Sequence, residues 1–297
     1  MQNASKNIAH KDSRWLRFVR SYTFNFPIDK GKVRVFRWAK KFCRTFPSNI
    51  TATTKDGRHL RISFHDWVED MIYFLGTYEA YCTEIVKNHV KRGDVCFDVG
   101  ANIGCYSTLF QMLCGATGEI HSFEPVPQTF AELKKNVALN GTTANVFLNK
   151  IALGNEEKDS EIYLFPELPS GHASLADKRD QRSAAIPVKM KMLDSYLTER
   201  KIKQVDFIKV DIEGAELMFL EGGVKLFEQK KLPIIFMEMA LDTAKEFGYK
   251  PNDLLVFIKS QAAYDFFALN EKKHKLVKIE EFAETDIGAN VLCLPRN

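Results

Sequence analysis

No stretch of this chain approaches the roughly 18 uninterrupted apolar residues that a membrane-spanning helix needs. Cysteine is scarce and scattered: six residues among 297, at positions 43, 82, 96, 105, 114 and 293, with no C-x-x-C pair. That scatter argues against a zinc site and against a disulfide framework. Cys96, Cys105 and Cys114 lie in apolar surroundings, where cysteine acts as a small hydrophobe. The sequence does not open like a secretory signal: its first thirteen residues, MQNASKNIAHKDS, are polar, and Arg14, Arg17 and Arg20 interrupt the next stretch. A reducing, cytoplasmic setting is therefore expected. Internal repeats and low-complexity tracts are absent too.

What the sequence does have is unevenly placed. Residues 1–44 hold twelve Lys and Arg against Asp12 and Asp29, a charge of +10, whereas the rest of the chain sums to −6. Segregation of this kind suggests an anionic partner surface for an N-terminal appendage. Residues 1–13 read as disordered. Trp15, Phe18, Val19 and Tyr22 then fall at helical spacing, as do Val35, Trp38, Ala39 and Phe42. Two readings stay open: peripheral attachment to the inner face of an anionic membrane, or a helical collar whose aromatics pack on the catalytic domain.

Beyond the appendage (1–50), residues 51–92 read as a hairpin around Asp56-Gly57 and a long helical stretch interrupted by Gly76. The pattern changes at Gly93. VCFDVG (95–100) is a near-continuous apolar run, as in a strand buried on both faces of a parallel sheet. Strand-like runs recur at 119–124, 145–153, 205–212, 233–239, 264–269 and 290–294, with helical segments between most of them. Alternation of this kind predicts an α/β doubly wound sheet over 93–297. EIYLF (161–165) and IPVKMKM (186–192) read as an extra strand pair inserted before the fourth sheet strand.

In such a sheet, ligands bind beyond the carboxyl ends of the strands. The first strand ends in Asp98-Val-Gly100-Ala-Asn102-Ile-Gly104, where Gly100 permits a tight turn and close backbone approach by a ligand. The second ends in Phe123-Glu124-Pro125, and a carboxylate there suits both hydroxyls of a ribose. Dinucleotide binders use G-x-G-x-x-G. Here the spacing is G-x-x-x-G, and Asp98 would repel a pyrophosphate while suiting an ammonium group. S-adenosylmethionine carries that ammonium, a ribose and no phosphate, so loop and carboxylate agree on one ligand. The fourth strand ends in Asp211-Ile-Glu213-Gly-Ala-Glu216 and the fifth in Glu238. Glu216 reads equally well as an acid in the first turn of a helix. His172 is a loop histidine whose imidazole has the pKa of a base towards a hydroxyl. Asp211, Glu213 and Glu238 could offer oxygens to Mg²⁺, a reading disfavoured because each also has a structural explanation.

From about residue 60 to 240 the sequence resembles the FkbM family of methyltransferases. The stretches that carry the likeness are IYFLGTYE (72–79), DVGANIG (98–104), FEP (123–125), VKMKMLDSYL (188–197) and FIKVDIEGAE (207–216). The resemblance implies a class I methyltransferase fold, Rossmann-like, with seven strands, the last antiparallel. It also implies O-methylation of a hydroxyl on a sugar, glycolipid or natural product. Asp98, Gly100, Asn102 and Gly104 would then hold the methionine end of the cofactor and Glu124 its ribose. Ala152 would line the adenine, Tyr78 and Glu79 would belong to a covering helix, and Asp211 would stand near the sulfonium or the acceptor. The family supplies no equally firm base, which leaves His172 and Glu213 as candidates beside Asp211. Two rivals remain: a catalytically silent scaffold at a membrane, and a nicotinamide oxidoreductase, which the glycine spacing disfavours. A nucleic-acid substrate is not expected, because no Asn-Pro-Pro-Tyr or Asp-Pro-Pro-Tyr signature follows Asp211.

Overall fold

The computed structural model describes residues 2–26, 31–43, 46–64, 67–141, 145–164, 173–175, 184–270, 273–283 and 288–296, with the side chains of 2–13 and 173 excepted. Two units make up the chain, Met1–Ala80 and Tyr81–Asn297. In the first, α1 (Gln2–Asn25) and α2 (Lys32–Lys40) precede a hairpin of β1 (Ile50–Thr53) and β2 (His59–Ile62), then α3 (Trp67–Leu75). Residues 2–13, expected to be disordered, continue α1 as helix. The hairpin closes as its Asp-Gly turn predicts, with Gly57 at φ +89° and Ile50 opposite Ile62. Phe36 of α2 stacks on Phe74 of α3 at 5.0 Å, and Arg20 of α1 donates to the carbonyls of Tyr73 and Thr53, each at 2.9 Å.

The predicted helical stretch after residue 66 is broken where Gly76 suggested. α3 ends at Leu75 and α4 (Ala80–His89) resumes after a bend. Tyr78 and Glu79 lie in that bend, Glu79 at φ +46°, and so are not helical as expected.

The second unit is built on β3 (Val95–Val99), α5 (Cys105–Cys114), β4 (Glu119–Phe123), α6 (Pro127–Leu139) and β5 (Val146–Asn149). A small sheet comes next: β6 (Ala152–Gly154), β7 (Lys158–Leu164), β8 (Ala173–Ser174) and β9 (Ala184–Met192). The chain then returns through α7 (Leu193–Arg200), β10 (Phe207–Val210), α8 (Glu216–Glu221), β11 (Ile234–Ala240), α9 (Leu241–Glu246), α10 (Pro251–Gln261), β12 (Tyr264–Asn270), β13 (Lys275–Ile279) and β14 (Gly288–Pro295).

The main sheet has the order β13-β12-β14-β11-β10-β3-β4-β5. Its run from β5 to β11 is parallel, and β14 enters antiparallel between β11 and β12. This is the class I methyltransferase arrangement with one addition: an eighth strand, β13, extends the edge beyond the expected seven. The run at 145–153 divides, because β5 ends in the main sheet and β6 joins β9 in the small one. The inserted pair is β7 and β9, antiparallel over seven residues.

Period-2 alternation sorts the buried strand residues onto two faces. Phe97, Val99, Ile208, Val210, Ile235 and Met237 pack with α7, α8 and α10. Cys96, Phe207, Phe236 and Leu292 pack with α4 and α5. Strand order reverses between β3 and β10, so the switch point falls where the loops after Val99 and Val210 leave the sheet.

Candidate active site

The loop after β3 is tied to the end of β4 by its own backbone. Gly100 and Ala101 N–H both donate to the Phe123 carbonyl, at 3.0 and 2.9 Å. Asn102 N–H donates to Glu124 Oε2 at 2.9 Å, and Val126 N–H to Oε1 at 2.9 Å. Gly100, Asn102 and Gly104 take φ of +82°, +48° and +96°, which bends the segment into a cradle before α5. Asn136 of α6 supports it from behind, donating to the Ile103 carbonyl at 2.7 Å. Gly104 leads into α5 in a left-handed conformation.

Besides the turn, Gly100 meets a close backbone approach from within the protein. A Cβ there would stand 1.8 Å from the Asp211 carbonyl oxygen. The close approach is made by the neighbouring strand end, where Asp211 N–H also donates to the Val99 carbonyl at 3.0 Å.

Register places the charged residues on one face. Lys209 lies opposite both Asp98 and Phe236, and Glu238 opposite Asn290. Lys209 is 1% exposed in the middle of an otherwise apolar strand. Its ammonium donates to Asp211 Oδ2 at 3.3 Å and Asn290 Oδ1 at 3.4 Å, with the rings of Tyr106 and Phe236 within 5.4 Å. Asp98 is buried under the loop and accepts from the Ser107 hydroxyl, which also contacts Ser122. Burial lifts the Asp98 carboxyl to about 6, against the pull of Ser107 and Lys209. Glu238 is raised to about 9, first by the Asp211 charge and then by burial.

Glu216 opens α8 and takes the structural role. Its Oε1 accepts from Ile212 and Gly214 N–H, its Oε2 lies 2.8 Å from the Tyr249 hydroxyl, and it is 2% exposed. Glu213 sits beside it at φ +52°, with its carbonyl accepting from Ser174 Oγ at 3.2 Å. Ala152 begins β6 and packs with Val126, two residues beyond Glu124. His172 falls outside the described residues. Among those described, no three His, Cys, Asp or Glu side chains are grouped to hold a metal ion.

The sequence reading missed Lys209, Ser107 and Asn290. For Lys209 a signal was present: one cation inside the run VDFIKV, where burial on both faces leaves it no water.

A family model described as the methyltransferase FkbM domain matches residues 98–266. This chain belongs to the FkbM methyltransferase family. The match begins at Asp98, so it takes in the whole cradle, Glu124, Asp211 and Glu238. Among curated relatives, Methyltransferase 1 of Beauveria bassiana is 30% identical over 142 residues, 42% of this chain and 56% of its own length. The 31-O-demethyl-FK506 methyltransferase FkbM of Streptomyces tacrolimicus is 28% identical, over 45% of this chain and 60% of its own. Hexuronic acid methyltransferase AglP of Haloferax volcanii is 23% identical, over 53% and 62%. The chain thus spans less than two thirds of the length of each of these three relatives. A solved O-methyltransferase from Bacillus cereus, in complex with SAH, superposes at TM-score 0.43 and 10% identity, covering 72% of this chain and 77% of that one.

Glu124 is expected to make the stability of this family member depend on pH. Burial raises its carboxyl from 4.5 to about 7, although two N–H bonds pull the other way. Between those values the folded state keeps a proton that the unfolded chain has lost, so stability falls as pH rises through that window. The melting temperature is expected to drop from about pH 5 to about pH 8, and Glu124→Gln to flatten the slope. A slope unchanged in Glu124→Gln would take this carboxyl out of the account.

Proposed function

We propose that the chain is an S-adenosylmethionine-dependent O-methyltransferase acting on a hydroxyl of a sugar, in a glycan or glycolipid, or of a natural product. The observation that carries this reading is the charge at the switch point: Asp98, Glu124 and Asp211 gather around a glycine cradle, with the buried Lys209 ammonium beside Asp211. A pyrophosphate would meet repulsion there, which disfavours a nicotinamide dinucleotide, whereas an ammonium and a ribose suit it.

Bound adenosylmethionine would supply a methyl group on a good leaving group, which leaves alignment and proton removal to the protein. Glu124 has a second lone pair on each carboxylate oxygen beyond its two backbone bonds, available to the ribose hydroxyls. Gly100, Asn102 and Gly104 shape the backbone around the methionine end, with the Asp98 charge beneath them, and Ala152 borders the adenine. Tyr78 and Glu79 are assigned to the cofactor by family resemblance alone. Asp211 accepts the acceptor's proton, with Glu213 next to it on the same loop as the alternative. The names of two relatives, one for a hexuronic acid and one for an oxygen of FK506, support the hydroxyl class. Six free cysteines fit a cytoplasmic enzyme.

Calorimetry on the full chain is expected to show adenosylmethionine binding that Glu124→Ala weakens by about 1.5–3 kcal/mol, the range for a hydrogen bond to a charged group. Methyl-labelled adenosylmethionine should then mark one extracted fraction: glycolipid, polysaccharide or small molecule. Binding of NADH in place of adenosylmethionine would overturn the cofactor; binding without transfer to any fraction would favour a scaffold.

A further inference from the structure

The first unit has a surface that methyl transfer does not use. Arg34, Arg37, Lys40 and Lys41 on and just after α2, with Trp38 and Trp67, line an open hollow of about 590 Å³. Its one carboxylate, Asp70, is held by Lys40 at 2.6 Å and so is already neutralised. The Arg37 guanidinium lies 4.6 Å over the Trp67 ring, which fixes its place in the wall.

The helices of this unit also expose large aromatic side chains. Trp38 and Phe42 are 57% and 59% exposed and touch edge to face at 4.7 Å. On α1, Phe18 is 68% exposed, and Tyr22 stacks on Phe26 near the end of the same helix. Among the described residues, every large exposed hydrophobic of the first unit is aromatic, and those of the second unit are single aliphatics. Scattered aliphatics are ordinary on a protein surface, but clustered aromatics interleaved with exposed cations are not. On the same two helices Leu16, Val19, Phe36 and Ala39 are buried, while Phe18, Tyr22, Trp38 and Phe42 face water.

We infer that this face docks on an anionic lipid bilayer, with lipid phosphates held in the α2 hollow and the exposed aromatics set into the headgroup layer. Charge complementarity selects the partner. A nucleic-acid duplex would use the cations and leave Phe18, Trp38 and Phe42 in water, whereas a bilayer interface takes both. A single strand that could stack on the rings is separated by competition with vesicles. No helix of the described residues is long and apolar enough to cross a membrane, so the contact is peripheral.

The test is co-sedimentation of the full chain with phosphatidylcholine vesicles, with and without phosphatidylglycerol. Binding is expected to the anionic vesicles only, and to weaken as salt shortens the screening length. Arg34→Gln with Lys41→Gln should weaken it about 25-fold, from about fivefold for each cation near the surface. Trp38→Ala with Phe42→Ala should lower it even at low salt. All four side chains are exposed, so the melting temperatures should match the wild type. Trp38 fluorescence should shift to the blue on adding anionic vesicles, a change absent from Trp38→Phe. The inference fails if the chain stays in the supernatant at low salt, or binds neutral vesicles equally. It also fails if both double variants bind as the wild type does, or if single-stranded or duplex nucleic acid displaces the vesicles. Inorganic phosphate bound by a chain that ignores vesicles would make the hollow a small-anion site and equally overturn it.

Discussion

Asp211→Asn is expected to lower turnover by about 10²–10⁴, the usual share of a positioned general base, while leaving adenosylmethionine affinity within about threefold. The reasoning starts from Lys209. A fully buried ammonium needs a counter-charge, and loss of one costs about 3–5 kcal/mol. Asp211 contacts it at 3.3 Å, and the charge on Asp211 is the largest reason Glu238 holds its proton up to about 9. Replacing Asp211 by asparagine removes that charge, so Glu238 ionises at a lower pH and takes over as counter-charge. The single variant therefore folds with near-normal stability but lacks its base. Removing both, in Asp211→Asn/Glu238→Gln, leaves Lys209 with Asp98 alone and should cost far more stability than the two single variants together. Steady-state kinetics, calorimetry and thermal melts read the three effects separately. Wild-type turnover in Asp211→Asn removes it as the base, and additive melting shifts would show that the two carboxyls do not share the ammonium.

Much of this arrangement was legible in the sequence because it rests on short-range signals. Continuous apolar runs marked the buried strands, and DVGANIG with FEP located the cradle. What escaped depends on neighbours far along the chain. The run at 145–153 has strand chemistry throughout, and only pairing partners decide that Asn149 ends one sheet and Ala152 begins another. Asp98 sits at the predicted strand end, but its carboxylate turns to Ser107, nine residues on, under the loop. The appendage shows the same limit. Helical spacing grouped Phe18 and Tyr22 with Val19, whereas packing buries Leu16, Val19 and Thr23 and leaves the two rings outside. Periodicity gives a stripe, and tertiary contacts decide which edge of it is covered.

Gly100→Ala should be strongly damaging for a single added methyl. Two costs combine at this position. An alanine at φ +82° is strained by about 1–2 kcal/mol whatever the space around it. Its Cβ would also lie 1.8 Å from the Asp211 carbonyl oxygen and 3.1 Å from the Ile212 side chain. Backbone cannot yield as a flexible side chain does, so β3 and β10 must part at their carboxyl ends. That displaces the Asp211 N–H bond to Val99 and adds an overpacking term of about 1–3 kcal/mol. Gly248→Ala isolates the first cost, since Gly248 has φ +79° and nothing within 4 Å of a Cβ. The expected order is a melting temperature lowered by about 2–6 °C in Gly248→Ala and by roughly twice that or more in Gly100→Ala. Adenosylmethionine binding should persist in the first and be lost in the second, because the same methyl opens the cradle and moves Asp211. Equal melting shifts in the two variants, or full binding by Gly100→Ala, would mean that the two strand ends are free to separate and that the cradle is not held by their contact.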